Sequence, residues 1–528
     1  MGKGRNYRNS AIFSTILVMI GLVFTKGSGF LRDIFVSIKF SQDVYRDSFT
    51  LAFTIPDLFY NLLVGGAIFS TVTPYLSAQI AVGEEKKGIR TTSIFISVIS
   101  VVMVTVCTIG VVFAKPIYSL YALKGGIDDQ TLELASSASR MLFPQIFFIM
   151  LAALSIGILN SYKRFSSTAF APSIYNMAVL VFILIFAGNS PEQLVMTTAG
   201  ILLASMVYAT FQYIVGRDKL KQIRFIFKPT DPDFIALFKR AIPILISSSI
   251  IQINVVILNY FAGQFDSGSI YGFRNASTIW QIPYGIFTVA ITTVMTPTLA
   301  GYHEAGKFKE ASELLSSRIK SALFLMIPSA FFMALMSVDV VKAIYQWTSS
   351  YTDTNARTAS TFLLGFTTAI ITASVAHLFN QAFYAIGQTK IPLLAGTISL
   401  VLNPCFCQVL IMLGVGPMSL SIAYSITNFC QMIILAVLYF RRKELAPRHM
   451  MGTILKCFLA AVIMNVCVYV IDRFIPAQGG KIVQLLIISL KGVIAVVVYF
   501  LAAFILKMDE ATFWINRFKA RLPGAKNK

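Results

Sequence analysis

The sequence has 528 residues, of which 56% are hydrophobic and only 13% charged, and its mean hydropathy is +0.74. Soluble domains carry about 25% charged residues, so this composition excludes an ordinary soluble protein. The net charge of +21 does not indicate nucleic acid, because the basic residues gather in alternate loops and no segment carries a nucleic-acid-binding motif. We therefore expect an all-α polytopic membrane protein.

Apolar runs long enough to cross a hydrocarbon core of about 30 Å recur along the whole sequence. The first begins with a basic stretch but lacks a small-residue cleavage site, so we expect an uncleaved helix. The runs predict about fourteen transmembrane helices, called here spans 1 to 14, near residues 10–39, 45–80, 91–114, 135–160, 168–188, 192–216, 233–262, 267–301, 310–337, 357–386, 391–413, 417–440, 451–472 and 483–507.

The Lys and Arg residues alternate between the two sides of this arrangement. Most fall at the N-terminus, in every second loop and in the tail. The opposite side holds only Lys39, Arg46, Lys115, Lys124, Lys342, Arg357, Arg473 and Lys481. Because cytoplasmic loops are enriched in Lys and Arg, we expect both termini in the cytoplasm.

A weak internal repeat links the two halves of the sequence. Residues 67–76 resemble residues 290–299, and each segment ends a span that carries an earlier proline, Pro56 or Pro283. A second pair, 163–172 and 387–392, has nearly the same offset of about 220 residues. We therefore expect two pseudo-symmetric six-helix lobes that alternate access to a site between them. The predicted boundaries are 1–230 for spans 1–6, 231–445 for spans 7–12, and 446–528 for spans 13–14 with a basic cytoplasmic tail.

Span 1 carries the densest group of ionisable residues, Lys26, Arg32 and Asp33, around Gly27 and Gly29. Charges inside a membrane span are costly, so they point to a function. We expect the glycines to weaken the helix and expose amide groups, which with the cations would bind an anion such as phosphate. The alternative is that Arg32 pairs locally with Asp33 while Lys26 extends toward the membrane surface.

Polar residues also line one face of three other spans. In span 2 they are Asp57, Tyr60, Asn61 and Gly65, in span 8 Arg274, Thr278 and Gln281, and in span 7 Gln252 and Asn259. The Asn and Gln residues could instead only hold helices together. Because spans 1, 2, 7 and 8 are the first two of each lobe, we expect one central cavity between the lobes. Its predicted substrate-binding residues are Lys26, Arg32, Asp33, Asp57, Tyr60, Asn61, Arg274, Thr278 and Gln281.

Catalytic motifs are absent from the sequence. There is no phosphate-binding glycine loop, no metal-spaced His or Cys cluster and no nucleophile elbow, so we expect neither an enzyme, nor a cofactor, nor a metal site. The six cysteines all lie inside apolar spans and read as small membrane-helix residues. We expect Lys491 in span 14 to extend its amine to the membrane surface.

Several motifs resemble the MurJ (MviN) family of bacterial lipid II flippases, within the multidrug/oligosaccharidyl-lipid/polysaccharide (MOP) exporter superfamily. The resemblance extends over most of the chain. It is clearest in five segments: Gly29-Phe30-Leu31-Arg32-Asp33, Asp47-Ser48-Phe49, Ala52 to Leu58, Ile158 to Pro172, and Gln281 to Phe287.

The resemblance implies transport of lipid II, an undecaprenyl-pyrophosphate-linked peptidoglycan precursor, from the inner to the outer leaflet of the bacterial cytoplasmic membrane. It implies lipid II, membrane lipids and the cell-wall synthesis machinery as partners. Three alternatives remain open: a drug or cation antiporter of the related multidrug (MATE) family, a flippase for another undecaprenyl-linked saccharide, and a scaffold that transports nothing.

The chain departs from the family pattern at charged positions. Lys26, Tyr60 and Asn61 stand where the family has arginines, while Thr278 and Gln281 replace an Arg and a Glu. Arg274 lies one turn from Thr278 on the same face, and we expect it to substitute for the missing arginine. Spans 7 and 11 lack the internal acidic residues of the family's sodium site, so we expect the membrane potential to drive transport.

Overall fold

The computed structural model describes residues 21, 24–62, 71–120, 127–164, 168–441 and 450–511. Within these ranges the regular structure is helical and no strand occurs. In chain order the helices are α1 (24–39), α2 (Asp43–Tyr60), α3 (Thr73–Ala81), α4 (Glu85–Val112), α5 (Ala114–Ser119), α6 (Asp129–Ser161), α7 (Ala171–Phe186), α8 (Pro191–Val215), α9 (Arg217–Leu220), α10 (Pro232–Ala262), α11 (Ser269–Pro283), a π-helix (Tyr284–Thr288), α12 (Val289–Glu304), α13 (Phe308–Leu335), α14 (Ser337–Tyr345), α15 (Asp353–Ala385), α16 (Lys390–Met412), α17 (Met418–Phe440), α18 (Met450–Phe474) and α19 (Lys481–Ile505).

Ten helical stretches in the described ranges are long and apolar enough to cross a membrane. They are α4, α6, α8, the stretch from α11 through the π-helix to α12, α13 and α15–α19. Two shorter apolar helices, Ala171–Phe186 and Ser249–Ala262, accompany them. The protein is a multi-pass integral membrane protein, and the expected all-α class is confirmed. The count of fourteen spans stays a prediction.

Side-chain caps fix where several long helices begin. Asp128 accepts the Thr131 N–H at 2.7 Å at the start of α6, and Ser190 accepts the Gln193 N–H at 3.2 Å at the start of α8. Thr352 and Asn355 form a reciprocal capping box before α15. Such caps satisfy amide groups that have no partner inside the helix, so each apolar run becomes helical from a defined residue.

Two proline-containing helices change their geometry just after the proline. In the helix that begins at Asp43, Pro56 is followed by π-helical residues 61–62. After α11, Pro283 is followed directly by the five-residue π-helix. A proline removes one backbone donor, and π-helical turns often mark functional sites. The π-helical residues begin five residues after Pro56 and directly after Pro283.

The chain forms two compact units, Met1–Ile270 and Tyr271–Lys528. The predicted boundaries at residues 230 and 445 stay predictions. Several predicted features lie outside the described residues: the start of span 1 at residues 1–20, Gly65, part of the repeated segment at 67–70, most of the basic loop at 442–449 and the basic tail at 512–528.

In the first unit α6 is the central helix and packs against α2, α4 and α8. Ser48 of α2 donates to the Thr131 carbonyl of α6 at 3.2 Å, and Tyr118 donates to the Ala52 carbonyl at 2.8 Å. Helix α10 packs on α2, where Asn259 donates to Thr54 Oγ1 at 2.8 Å. For Asn259, the expectation of a residue that holds helices together is confirmed.

In the second unit α15 packs against α13 and α17, and the pair α18–α19 packs on α13. A Cβ at Gly365 would lie 2.0 Å from Ser421 Oγ, so only glycine permits this approach of α15 to α17. Asn465 of α18 donates to the Phe331 carbonyl of α13 at 2.9 Å. Small residues and polar cross-links of this kind hold membrane helices together where lipid weakens the hydrophobic driving force.

The environment of Lys491, in the middle of α19, differs from expectation. Its side chain is 1% exposed and forms an ion pair with Asp472 of the neighbouring helix α18. The prediction that Lys491 extends its amine to the membrane surface is therefore wrong, because a carboxylate on the adjacent helix neutralises it inside the protein.

Candidate functional site

Helix α1 carries three of the predicted site residues and is continuous from residue 24 to residue 39. The expectation that Gly27 and Gly29 expose amide groups is wrong, since both lie within this unbroken helix. Away from water every backbone group needs a partner, which favours intact helical hydrogen bonds even through glycine. Gly29 faces α7, because a Cβ there would be in van der Waals contact with the Asn176 side chain at 3.4 Å.

Arg32 and Asp33 form an ion pair on α1. Arg32 Nε and Nη2 both donate to Asp33 Oδ1, at 3.0 and 2.9 Å. The two side chains are 25% and 15% exposed, so the pair is partly open rather than sealed. The local pairing considered as the alternative is therefore present. A diphosphate would have to compete with Asp33 for the Arg32 guanidinium.

Lys26 lies six residues before Arg32 on α1. It is exposed and forms no ion pair within the described residues. Its ammonium is therefore the more readily available cation of α1. A lysine supplies a point charge with three donors, whereas an arginine supplies a planar fork that fits two phosphate oxygens at once.

The predicted polar residues of α2 lie in the same part of the first unit as Arg32. Asp57 is exposed, while Tyr60 and Asn61 are half-buried. Arg32 lies within electrostatic reach of Asp57 as well as of Asp33. In predicted span 2, an exposed carboxylate favours a water-filled space over lipid, because charges in contact with hydrocarbon are costly. The structure thus brings Arg32, Asp33, Asp57 and Tyr60 together.

Asn176 of α7 links this group to the rest of the first unit, and sequence reasoning missed it. Its Oδ1 accepts from Arg32 Nη1 at 3.3 Å, and its Nδ2 donates to the Thr25 carbonyl at 3.2 Å and to Ser28 Oγ at 3.4 Å. Ser173 adds a hydroxyl contact with Thr25 at 3.0 Å. Asn176 is 9% exposed, so it holds the Arg32 side chain from the interior.

Two tyrosines, Tyr175 and Tyr208, lie beside this group and were also missed. Tyr175 is within electrostatic reach of Arg32 and Asp57, and its hydroxyl accepts from Gln145 Nε2 at 3.0 Å. The available signal was a cluster of polar side chains, Ser173, Tyr175 and Asn176, at the start of the otherwise apolar helix α7.

The predicted residues of span 8 lie in the second unit on one face of α11. Arg274 and Thr278 are half-buried and Gln281 is exposed. Thr278 Oγ1 donates to the Arg274 carbonyl at 3.0 Å, and Gln281 Nε2 donates to the Ser277 carbonyl at 3.0 Å. Hydroxyl and amide groups of this kind satisfy themselves on their own helix. The single cavity expected to unite Arg274 with Arg32 stays a prediction.

Metal-binding groups are scarce in the part of the chain that the structure describes. No group of three or more His, Cys, Asp or Glu side chains there is arranged to hold a metal ion. His377 packs edge-on against Tyr284, with ring centroids 5.7 Å apart. The described site is therefore built from cations, carboxylates, amides and phenols.

Comparison with known proteins places this architecture in a family. The model of the family "Lipid II flippase MurJ" matches residues 36–490. A probable lipid II flippase MurJ of Rickettsia prowazekii is 25% identical over 94% of this chain and 97% of its own length. One from Rhizobium tropici is 26% identical over 94% of each chain.

Solved structures agree at the level of the fold. A lipid II flippase MurJ in an inward closed conformation aligns with a TM-score of 0.76 at 22% identity, over 95% of this chain and 100% of that one. An inward-facing multidrug resistance MATE transporter of the MOP superfamily aligns with a TM-score of 0.69 at 15% identity, over 81% and 98%. Because the family model spans well over half of the sequence, the chain belongs to the MurJ family of lipid II flippases.

Proposed function

We propose that the protein moves lipid II from the inner to the outer leaflet of the bacterial cytoplasmic membrane by alternating access. Family membership carries the substrate class, and the partly open Arg32–Asp33 pair on α1 is the structural observation that carries the mechanism. No catalytic step is involved. Membrane lipids surround the substrate on its path, and the cell-wall synthesis machinery is the expected consumer of the delivered precursor.

The proposed architecture has fourteen transmembrane helices, two six-helix lobes and two additional C-terminal helices. The proline followed by π-helical residues in both α2 and α11 supports the repeat, since both helices are second in their lobe. The asymmetric distribution of Lys and Arg supports cytoplasmic termini. Drug or cation antiport is supported by the fold shared with a MATE transporter, but the family match does not support it.

The proposed chemistry is an exchange of anions at Arg32. In the structure, the Asp33 carboxylate accepts hydrogen bonds from two guanidinium donors. The diphosphate of the substrate would displace Asp33 and take the same donors in a bidentate, charge-assisted arrangement. Lys26 would supply a second positive charge, and Arg274 is proposed to complete the cradle from the other lobe. Binding would remain reversible, since the released Asp33 competes with the product.

Transport is proposed to draw on the membrane potential rather than on sodium. Spans 7 and 11 contain no internal Asp or Glu, apart from Asp233 at the very start of α10. A charge that crosses the membrane gains about 2.3 kcal/mol per 100 mV, so charged groups on substrate or protein can couple transport to the potential.

Complementation tests the function. The protein replaces the native lipid II flippase in a bacterial depletion strain, alongside Arg32→Ala and Arg274→Ala. We expect wild type to restore growth and both variants to fail. Arg357→Ala is the matched control, because Arg357 is an exposed arginine at the start of α15 and should rescue fully.

Membrane levels of each variant are measured in the same cells. Failure of well-expressed wild type to restore growth would contradict the lipid II assignment. Full rescue by both Arg32→Ala and Arg274→Ala would contradict the diphosphate cradle but leave the assignment standing.

A further inference from the structure

Three tyrosines from three helices meet in the first unit: Tyr60 of α2, Tyr175 of α7 and Tyr208 of α8. The rings of Tyr175 and Tyr208 have centroids 5.6 Å apart and are tilted by 40°. Tyr60 lies within electrostatic reach of both phenols. Of the three, Tyr208 is 7% exposed and packs into the core, while Tyr60 and Tyr175 are half-buried.

The hydroxyl groups of these tyrosines retain hydrogen-bond donors that no described residue uses. Gln145 Nε2 donates to the Tyr175 oxygen at 3.0 Å, so this oxygen acts as acceptor and its own proton can point elsewhere. Neither the Tyr60 nor the Tyr208 hydroxyl forms a hydrogen bond within the described residues. On the other side of the amide, Gln145 Oε1 is buried and has no partner in that part of the chain. A polar ligand could therefore find several neutral hydrogen-bonding groups here.

The charges around the tyrosines distinguish a neutral ligand group from an anionic one. Arg32 lies next to the cluster, since it bonds Asn176, the residue after Tyr175. Asp57 lies three residues before Tyr60 and is exposed. A carboxylate repels a second anion but accepts hydrogen bonds from hydroxyl or amide groups. The region beyond Arg32 is therefore suited to a neutral, hydroxyl-rich group rather than to more phosphate.

We propose that Tyr60 and Tyr175 bind a sugar of the lipid-linked substrate beside the diphosphate held by Arg32, with Tyr208 packed behind Tyr175. This inference rests on the proposed function and assigns the part of the site that recognises the saccharide. A sugar offers an apolar C–H face and a rim of hydroxyls, and tyrosine offers an apolar ring and a polar tip. The tyrosines thus determine specificity, because a site built to bond hydroxyl groups discriminates against a ligand that lacks them.

Binding of two lipids to the purified full-length protein tests the proposal. The probes are lipid II, which carries sugars, and undecaprenyl diphosphate, which carries none. Removing one neutral hydrogen bond weakens binding by about two- to tenfold. We expect Tyr175→Phe and Tyr60→Phe each to weaken lipid II binding by that factor and to leave undecaprenyl diphosphate binding unchanged. The double variant should lose more than either single one.

The matched control is Tyr213→Phe, on the same helix as Tyr208 but 49% exposed, which should bind both lipids like wild type. Arg32→Ala should weaken both lipids, and if it weakens neither, the proposed diphosphate cradle fails separately. Equal losses for both lipids in the tyrosine variants would overturn the sugar assignment. So would unchanged lipid II binding in Tyr60→Phe, Tyr175→Phe and their double variant.

Discussion

Two ion pairs on the apolar helices of this protein differ in how far water reaches them. In Arg32–Asp33 of the first unit the cation is 25% exposed, whereas in Lys491–Asp472 of the second unit the cation is 1% exposed. A partly hydrated pair can exchange one partner for a ligand at modest cost, while a sealed cation depends on its partner. The proposed binding role of the first pair and a structural role for the second would account for this difference.

The largest effect that the comparison predicts is on stability, at Asp472. Asp472→Asn leaves the sealed Lys491 ammonium without its direct partner, so we expect a loss of about 3–5 kcal/mol in the free energy of unfolding. Lys491→Met leaves a carboxylate that is 34% exposed and can be hydrated, so its loss should be smaller. Thermal unfolding of the detergent-solubilised protein measures both.

The double variant Lys491→Met with Asp472→Asn sharpens this prediction. It removes both charges and should be more stable than Asp472→Asn alone. If the two single variants lose equal stability, or if the double variant is the least stable of the three, the structural reading of this pair is wrong.

A smaller effect is expected at Asn176. Asn176→Ala removes its hydrogen bonds to Arg32, the Thr25 carbonyl and Ser28, so α1 loses its polar link to α7. We expect a loss of roughly 1–3 kcal/mol in stability and weaker diphosphate binding, because Arg32 is no longer held. Melting temperature and undecaprenyl diphosphate affinity are the two readouts.

Asn428→Ala is the control for Asn176, since Asn428 on α17 donates to the Tyr424 carbonyl of its own helix at 2.8 Å. It should leave diphosphate affinity unchanged. Equal affinity losses in the two variants would remove Asn176 from the site.

The smallest effect concerns pH and Asp339, on the short helix α14. Burial, followed by the nearby charge of Asp472, raises the pKa of Asp339, although Lys491 and Lys342 oppose this. A raised pKa means that the folded state prefers the protonated acid, so Asp339 adds stability as pH falls from 7 toward the ordinary Asp pKa. Asp339→Asn should remove this component and be more stable than wild type at pH 7.

The pKa of Asp218 is shifted in the opposite direction, which provides a comparison for Asp339. Hydrogen bonds from Arg164 lower the pKa of Asp218, so its contribution is present above the ordinary pKa and is lost as pH falls through the folded value. Melting temperatures from pH 7 to pH 4 should therefore show opposite differences from wild type for Asp339→Asn and Asp218→Asn. Parallel curves would contradict the assignment for Asp339.

Hydropathy alone predicted the class of the protein and the approximate places of its helices, because only apolar helices of sufficient length satisfy their backbone inside lipid. These features depend on local sequence, which is why they could be predicted.

Which side chains contact one another was harder to predict, because these contacts join segments that are distant in the sequence. Lys491 reads as a residue near the membrane surface until α18 places Asp472 beside it. Gly27 and Gly29 predict a weakened helix with exposed amide groups, but the helix continues through both residues. Asn176 could not be assigned to Arg32, which lies 144 residues away in the sequence, without a structure.

The affinity of Asp33→Asn for undecaprenyl diphosphate, compared with that of Arg32→Ala and of wild type, tests anion exchange at Arg32 most directly. Because Asp33 competes for the guanidinium, Asp33→Asn should bind the diphosphate more tightly than wild type. Arg32→Ala loses charge-assisted hydrogen bonds and should bind it at least about tenfold more weakly. Weaker binding by Asp33→Asn, or unchanged binding by Arg32→Ala, would contradict the exchange.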